Sequence, residues 1–354
     1  MRPSSRLALV LACIVSAQPA QAETSSWFGG KDESKAAPAK PKKAPAEKPA
    51  ASQKAPQAPN TSTHAKTTGP ASGDDAAYIA FDQGQYLTAL ALAEAQAARG
   101  EPQAHTLIGR IYAEGLGVGR DEVVAARWYA RGAELGDTEA AFAIGVLLAE
   151  GRGIEKDRVA AGQMFEKAAA TGHPLANYNL GLLFLRGDGK PENPYRAAQH
   201  IGYAASKGIA SAEYDFGTMH QHGVGVPHDA VEASRWIGKA AEQGHAAAQF
   251  EYAVMLLRGL GLTADEPKAV GYLRSAAEKG IAGAQNRLAH VYLEGIGVDR
   301  SAVEAAKWRL LAKVSGLEDA VLDKALASLS KADRANAERA ASEWRERAEL
   351  QLPQ

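Results

Sequence analysis

Three histidines lie close together near the middle of the chain: His220, His222 and His228. Imidazole nitrogens bind zinc and other transition metals, so this group raises the question of a metal centre. On a helix, His220 and His222 would project about 200° apart, because each residue advances by about 100°. Such a pair cannot readily share one ion, as it could on a strand. The spacing therefore predicts no metal site, and His220 also stands at a place that is often a core Tyr or Phe.

Ser328 and Lys331 have the spacing of the serine and lysine in a known acyl-transfer motif. The Ser-Asp-Asn and Lys-Thr-Gly segments that complete that motif do not follow in the folded region. We therefore interpret the match as coincidental and Ser330 as the N-terminal cap of a helix. The sequence predicts no catalytic residue, no metal and no cofactor.

Glycines supply the dominant pattern. Gly-x-Gly occurs six times, from Gly115 with Gly117 to Gly295 with Gly297. A nucleotide-binding loop needs a preceding strand and a longer glycine spacing, so each pair is interpreted as a turn. Seven other glycines stand 36 residues apart: Gly100, Gly136, Gly172, Gly208, Gly244, Gly280 and Gly316. This regularity divides residues 101–316 into six equal units and predicts an α-solenoid, in which each unit stacks on its neighbours.

Each unit is predicted to form two helices joined by the glycine turn. Numbering places from 1 to 36, helix A is predicted at places 2–14 and helix B at places 22–35, after an N-capping residue at place 21. Small residues at place 9 indicate close helix packing. Bulky residues at place 28 are predicted to fill the groove between repeats, and they are Trp128, Met164, His200, Trp236, Tyr272 and Trp308.

The unit consensus, Ala-x-x-x-Leu-Gly-x-x-Tyr-x-x-Gly-x-Gly-Val-x-x-Asp-x-x-x-Ala-x-x-Trp-x-x-x-Ala-Ala-x-x-Gly, closely resembles the Sel-one-like repeat family, a relative of the tetratricopeptide repeat. The resemblance covers about 60% of the chain. It implies an all-α, right-handed superhelix with helical caps, and a role as adaptor or regulator in protein complexes. Many members are secreted or periplasmic.

The flanking segments differ from the repeats. Residues 1–22 have the order of a secretory signal peptide, so export to the periplasm or beyond is expected. Cys13, the one cysteine, also lies in a weak lipoprotein-like motif, which leaves a lipid anchor as an alternative. Residues 23–73 are rich in Ala, Pro and Lys and predict a flexible arm. Residues 74–100 and 317–354 are predicted to form the helical caps.

A candidate partner site follows from alignment with tetratricopeptide units, whose A helices line a concave groove. Place 6 carries four consecutive aromatic residues, here called the aromatic rail: Phe142, Tyr178, Tyr214 and Phe250. Val146 and Leu182 stand beside it, and Arg186, His222 and Arg258 form a charged border at place 14. Aromatic anchors with polar neighbours suit capture of a peptide or helix. The alternative is that these rings only pack between A helices.

Three functions remain open at this point. The leading hypothesis is a non-catalytic periplasmic adaptor or regulator that binds a segment of an envelope or membrane protein in the groove. A cell-wall hydrolase or β-lactam-binding enzyme is the second. The third is a structural factor whose Lys/Pro-rich arm contacts peptidoglycan or other anionic polymers. The formal net charge is only −1, so no nucleic-acid partner is expected.

Overall fold

A computed structural model describes residues 76–350, which form sixteen α-helices and no strand. The predicted signal peptide, the Cys13 motif and the arm at 23–73 lie outside the described residues. In chain order the helices are α1 (Ala76–Asp82), α2 (Tyr86–Ala97), α3 (Pro102–Glu114), α4 (Glu122–Glu134), α5 (Thr138–Glu150), α6 (Arg158–Ala170), α7 (Pro174–Arg186), α8 (Pro194–Ser206), α9 (Ala210–His222), α10 (Ala230–Glu242), α11 (Ala246–Arg258), α12 (Glu266–Glu278), α13 (Ala282–Glu294), α14 (Ala302–Val314), α15 (Ala320–Ala327) and α16 (Lys331–Leu350).

The helices α3 to α14 form six pairs in an unbroken register. Every A helix spans places 2–14, as predicted, and every B helix spans places 22–34, one residue shorter than predicted. From α1 to α15, each helix packs on the helices next to it in this order, and α16 packs on α14. The protein is therefore an all-α solenoid, with a helix pair before the repeats and another after them.

Short-range interactions explain where each B helix begins. The side chain at place 21 accepts hydrogen bonds from free backbone amides in all six repeats, as Asp121 does from Val123 N and Val124 N. The N–H of the same residue donates to the place 12 carbonyl across the turn, at 2.8 to 3.1 Å. These bonds close the turn and start the next helix together.

The two positions in each turn require glycine for different physical reasons. The first, such as Gly151 at φ 77°, ends helix A in the left-handed conformation. The second packs on the preceding repeat: a Cβ at Gly153 would overlap the backbone of Glu122, and one at Gly261 would overlap that of Ala230. The second glycine thus serves stacking as well as chain reversal.

The predicted core position of helix B needs a correction. Trp236 and Trp308 are buried, as expected, but the other four residues at place 28 are only half-buried. The side chains buried in every repeat stand one place later, at Tyr129, Phe165, Ile201, Ile237, Leu273 and Arg309. In repeats one to four they pack on the glycine at place 9: a Cβ at Gly145 would stand 2.7 Å from the Phe165 ring. Place 29 therefore forms the contact between the two helices of one repeat.

Candidate functional site

The predicted groove residues lie in the A helices, with unequal exposure. Phe142, Val146, Tyr214, Phe250 and Arg186 are half-buried, and His222 and Arg258 are exposed. Tyr178 and Leu182 are only 6% and 2% exposed, contrary to the expectation of a continuous open wall. Both belong to the apolar cluster that spans repeats one to four. Little of either side chain is accessible to a partner.

The rail residues contact the next repeat at its A helix. The Phe142 ring stacks on His173 with centroids 4.5 Å apart, and Tyr214 stacks on His245 at 4.9 Å. The Phe250 ring lies against Gly283, where a Cβ would be 3.2 Å away. The packing role that the sequence left open for these rings is therefore present. A half-buried ring can pack on one side and offer the other to a ligand.

His173 and His245 link the rail to the helix ends. Nδ1 of His173 accepts a hydrogen bond from Ala176 N at 3.0 Å, and Nδ1 of His245 accepts one from Ala248 N at 3.2 Å. Each histidine thus caps an A helix while it stacks on the ring of the previous repeat. Burial, and the nearby charge of Lys279, lower the pKa of His245. A neutral imidazole suits the capping role, since a protonated Nδ1 could not accept.

Asp215, which sequence analysis did not single out, is a buried acid at place 7 of repeat four. The Tyr178 hydroxyl donates to its Oδ2 at 2.8 Å. Burial raises the pKa of Asp215 to about 7, although the Tyr178 bond and the charge of Arg186 act in the opposite direction. No clear sequence signal marked it, because place 7 is apolar in the first two repeats and polar in the other four.

The raised pKa of Asp215 predicts a pH-dependent stability. The unfolded chain has the ordinary aspartate pKa near 3.9, so the native state holds the proton more tightly. The contribution of protonated Asp215 to the free energy of unfolding is complete below that ordinary pKa. It is lost as pH rises through about 7. Between pH 5 and 8, we expect the free energy of unfolding of the wild type to fall by on the order of 1–3 kcal/mol relative to that of Asp215→Asn. The asparagine side chain can still accept the hydrogen bond from Tyr178. Thermal melts of both proteins across this pH range measure the difference. The same dependence of stability on pH in both proteins would contradict the prediction.

The charged border changes sign along the array. In repeats one and two it carries acids that have basic neighbours: Glu114 with Arg110 and Glu150 with Arg152, both at 2.8 Å. The central repeats carry Arg186, His222 and Arg258 instead. Burial, followed by the charge of Arg258, lowers the pKa of Arg287 on the next A helix.

A second polar centre that the sequence analysis missed joins repeat six to the C-terminal helices. Arg309, at place 29, is 1% exposed and forms two parallel bonds to the Asp323 carboxylate, both at 2.9 Å. Its Nη1 also donates to Asn286 Oδ1 at 3.0 Å and to the Leu317 carbonyl at 2.9 Å. The guanidinium replaces the apolar residue of the other repeats and holds α15 in place.

The other chemical candidates have structural partners. Ser328 Oγ donates to the Ala325 carbonyl at 2.7 Å, and Ser330 Oγ accepts from Asp333 N at 3.1 Å as the predicted helix cap. Among residues 76–350, no group of three or more His, Cys, Asp or Glu side chains is arranged to hold a metal ion. In the same range, no helix combines the length and hydropathy that crossing a bilayer requires.

Comparison with known families agrees with this geometry. The family model described as Sel1 repeat matches six consecutive segments: residues 102–137, 138–173, 174–209, 210–245, 246–281 and 282–312. The chain belongs to the Sel1 repeat family. Sel1 repeat proteins generally mediate protein–protein interactions and are generally non-catalytic scaffolds.

Two solved structures illustrate how this Sel1 repeat chain compares. A Sel1 repeat protein from Oxalobacter formigenes is 28% identical with a TM-score of 0.61, over 71% of this chain and 100% of that one. A protective antigen present in uropathogenic Escherichia coli strains, with an SLR fold, is 24% identical with a TM-score of 0.53, over 76% of this chain and 68% of that one. The second likeness concerns the fold alone. Among curated proteins, none matches the chain significantly.

Proposed function

We propose that this Sel1 repeat protein is a non-catalytic periplasmic adaptor or regulator that binds a segment of an envelope protein along its A helices. The observation that carries the proposal is the aromatic rail: Phe142, Tyr214 and Phe250 stand at one place of their repeats and are only half-buried. Val146, Val254 and Leu257, also half-buried, add apolar surface on the same helices. Aromatic rings separated by whole repeats suit the spaced anchors of an extended or helical segment.

The border supports a more specific partner class. Arg186 and Arg258, in repeats three and five, favour a segment with acidic residues near its middle. The arginine-paired acids of repeats one and two would disfavour acidic residues at one end. The proposed ligand is therefore an apolar or aromatic segment with a central acidic stretch.

The periplasmic location in this proposal rests on the sequence of residues 1–22 alone. The regulated complex would then be an envelope signalling or assembly complex, as the resemblance implies. Fractionation of cells that express the full chain tests the location directly, since a cytoplasmic product with an uncleaved leader would contradict it.

Photocrosslinking in cells tests the groove. A photoreactive amino acid at His222 or Arg258, both exposed on A helices, should capture the same partner. The matched controls are Arg127 and Gln163, exposed on B helices. We expect adducts with the envelope partner from the first pair and none with that partner from the second. Adducts with that partner only from the B helices would move the site away from the rail.

A charge reversal then tests the partner class. With the probe at His222, Arg258→Glu should lower the adduct yield at least about tenfold, because an acidic segment would meet a carboxylate. The melting temperature should stay within about two degrees, since Arg258 is exposed. An unchanged yield would exclude the acidic partner while leaving a groove site intact.

A further inference from the structure

A second surface lies on the B helices, away from the rail. Its members are large apolar side chains at the second residue of successive B helices and of the equivalent helix α2, and each is 48 to 65% exposed: Leu87, Val123, Val159, Tyr195 and Val231. We call this set the B-edge stripe. Its members stand 36 residues apart, one in each of five consecutive helix pairs.

The stripe has a rigid base. The Asp157 carboxylate accepts a hydrogen bond from Val159 N at 2.9 Å and fixes the start of α6. The Asp229 carboxylate accepts one from Val231 N at 2.9 Å and fixes the start of α10. The turn of the following repeat packs on the same backbone, because a Cβ at Gly225 would overlap Pro194, directly before Tyr195. The backbone is thus held from both sides while the side chain stays exposed.

Local helix energetics do not account for apolar residues at these positions. The first turn of a helix favours acidic side chains, which interact well with the helix dipole. Valine has a lower helix propensity than alanine or glutamate. The exposed side chains also contribute little burial within the described part of the chain. A row of exposed apolar residues is instead characteristic of an interaction surface.

We propose that the B-edge stripe is a homodimer interface at which a second copy of this chain lies antiparallel. The equal spacing of the stripe favours this occupant. A row of equally spaced side chains coincides with itself after a two-fold rotation about an axis through its middle member, Val159. That rotation places Leu87 opposite Val231 and Val123 opposite Tyr195. The stripe of a second copy has the same spacing, so the two stripes can contact each other at every repeat.

The available area agrees with a modest dimer. From their exposed fractions, the five residues present roughly 500 Å² in total. A standard interface buries roughly 800 Å² per partner. Ile154 and Leu260, exposed on the neighbouring turns, add apolar area at the same edge. The expected dimer therefore dissociates in the micromolar range.

Light scattering on the purified full chain tests the dimer. At tens of micromolar, the wild type should have about twice the chain mass, and Val159→Lys with Tyr195→Lys should be monomeric. The matched control is Val314→Lys with Val321→Lys, two similarly exposed residues off the stripe, which should stay dimeric. A monomeric wild type, or a dimer that survives the stripe variant, would overturn the proposal.

Cysteine crosslinking tests the antiparallel arrangement. In a Cys13→Ser background, Val159→Cys should form a disulfide with its own copy, because the axis passes beside it. Val123→Cys should not pair with itself, since the two copies would lie about two repeats apart, far beyond disulfide reach. Val123→Cys mixed with Tyr195→Cys should crosslink. Efficient self-crosslinking of Val123→Cys would overturn the antiparallel dimer.

Discussion

Replacing Phe165 by alanine should lower the free energy of unfolding by about 3–5 kcal/mol, whereas Met164→Ala should cost only about 1 kcal/mol. The Phe165 ring is buried and fills the space left by Gly145, so its removal opens a cavity between α5 and α6. Met164, one residue earlier, is half-buried. Comparing the two variants therefore distinguishes the stability contribution of place 29 from that of place 28.

Urea unfolding followed by circular dichroism measures this difference, and hydrogen exchange locates it. Because each repeat contacts only its neighbours, protection should be lost around repeats one to three before the C-terminal repeats. Equal costs at the two residues, or a larger cost at Met164, would contradict the assignment of place 29 to the contact between the helices.

Asp323→Ala should destabilise the C-terminal end by about 3 kcal/mol, whereas Arg309→Leu should be close to neutral. The first change leaves the Arg309 guanidinium in the interior without its carboxylate partner. The second removes that charge and restores the apolar side chain that place 29 carries in the first five repeats, as Leu273 does in repeat five. Asp323 is about one-third exposed, so it can remain solvated without Arg309.

The double variant is the decisive control. If the cost of Asp323→Ala comes from a buried unpaired charge, adding Arg309→Leu should recover most of the lost stability. Thermal melts of the four proteins give the coupling between the two sites. Costs that simply add would show that the network contributes no more than its separate side chains.

The sequence alone was sufficient for the repeat architecture, because the determinants are local. N-caps at place 21, glycines that end helix A, and apolar periodicity act within a few residues of each other. Each observed A helix therefore matches its predicted bounds, and each B helix differs by one residue. The family resemblance followed from the same local pattern.

The tertiary structure decided which side chains those helices bury. Places 28 and 29 differ by about 100° around helix B, so a small rotation against helix A determines which one enters the core. The burial of Trp236 beside the half-exposed Met164 at the same place shows how repeats diverge. A consensus averages over such differences.

The candidate site depends on long-range packing for the same reason. Tyr178 and Tyr214 share a place in their repeats, yet one donates to a buried aspartate and the other stacks on a histidine. Asp215 and Arg309 acquired their roles from residues in neighbouring elements, which no local pattern specifies. The sequence by itself determined where the helices and turns lie. Only the tertiary structure decided which faces are core and which are surface, because burial is set by contacts between side chains of different helices.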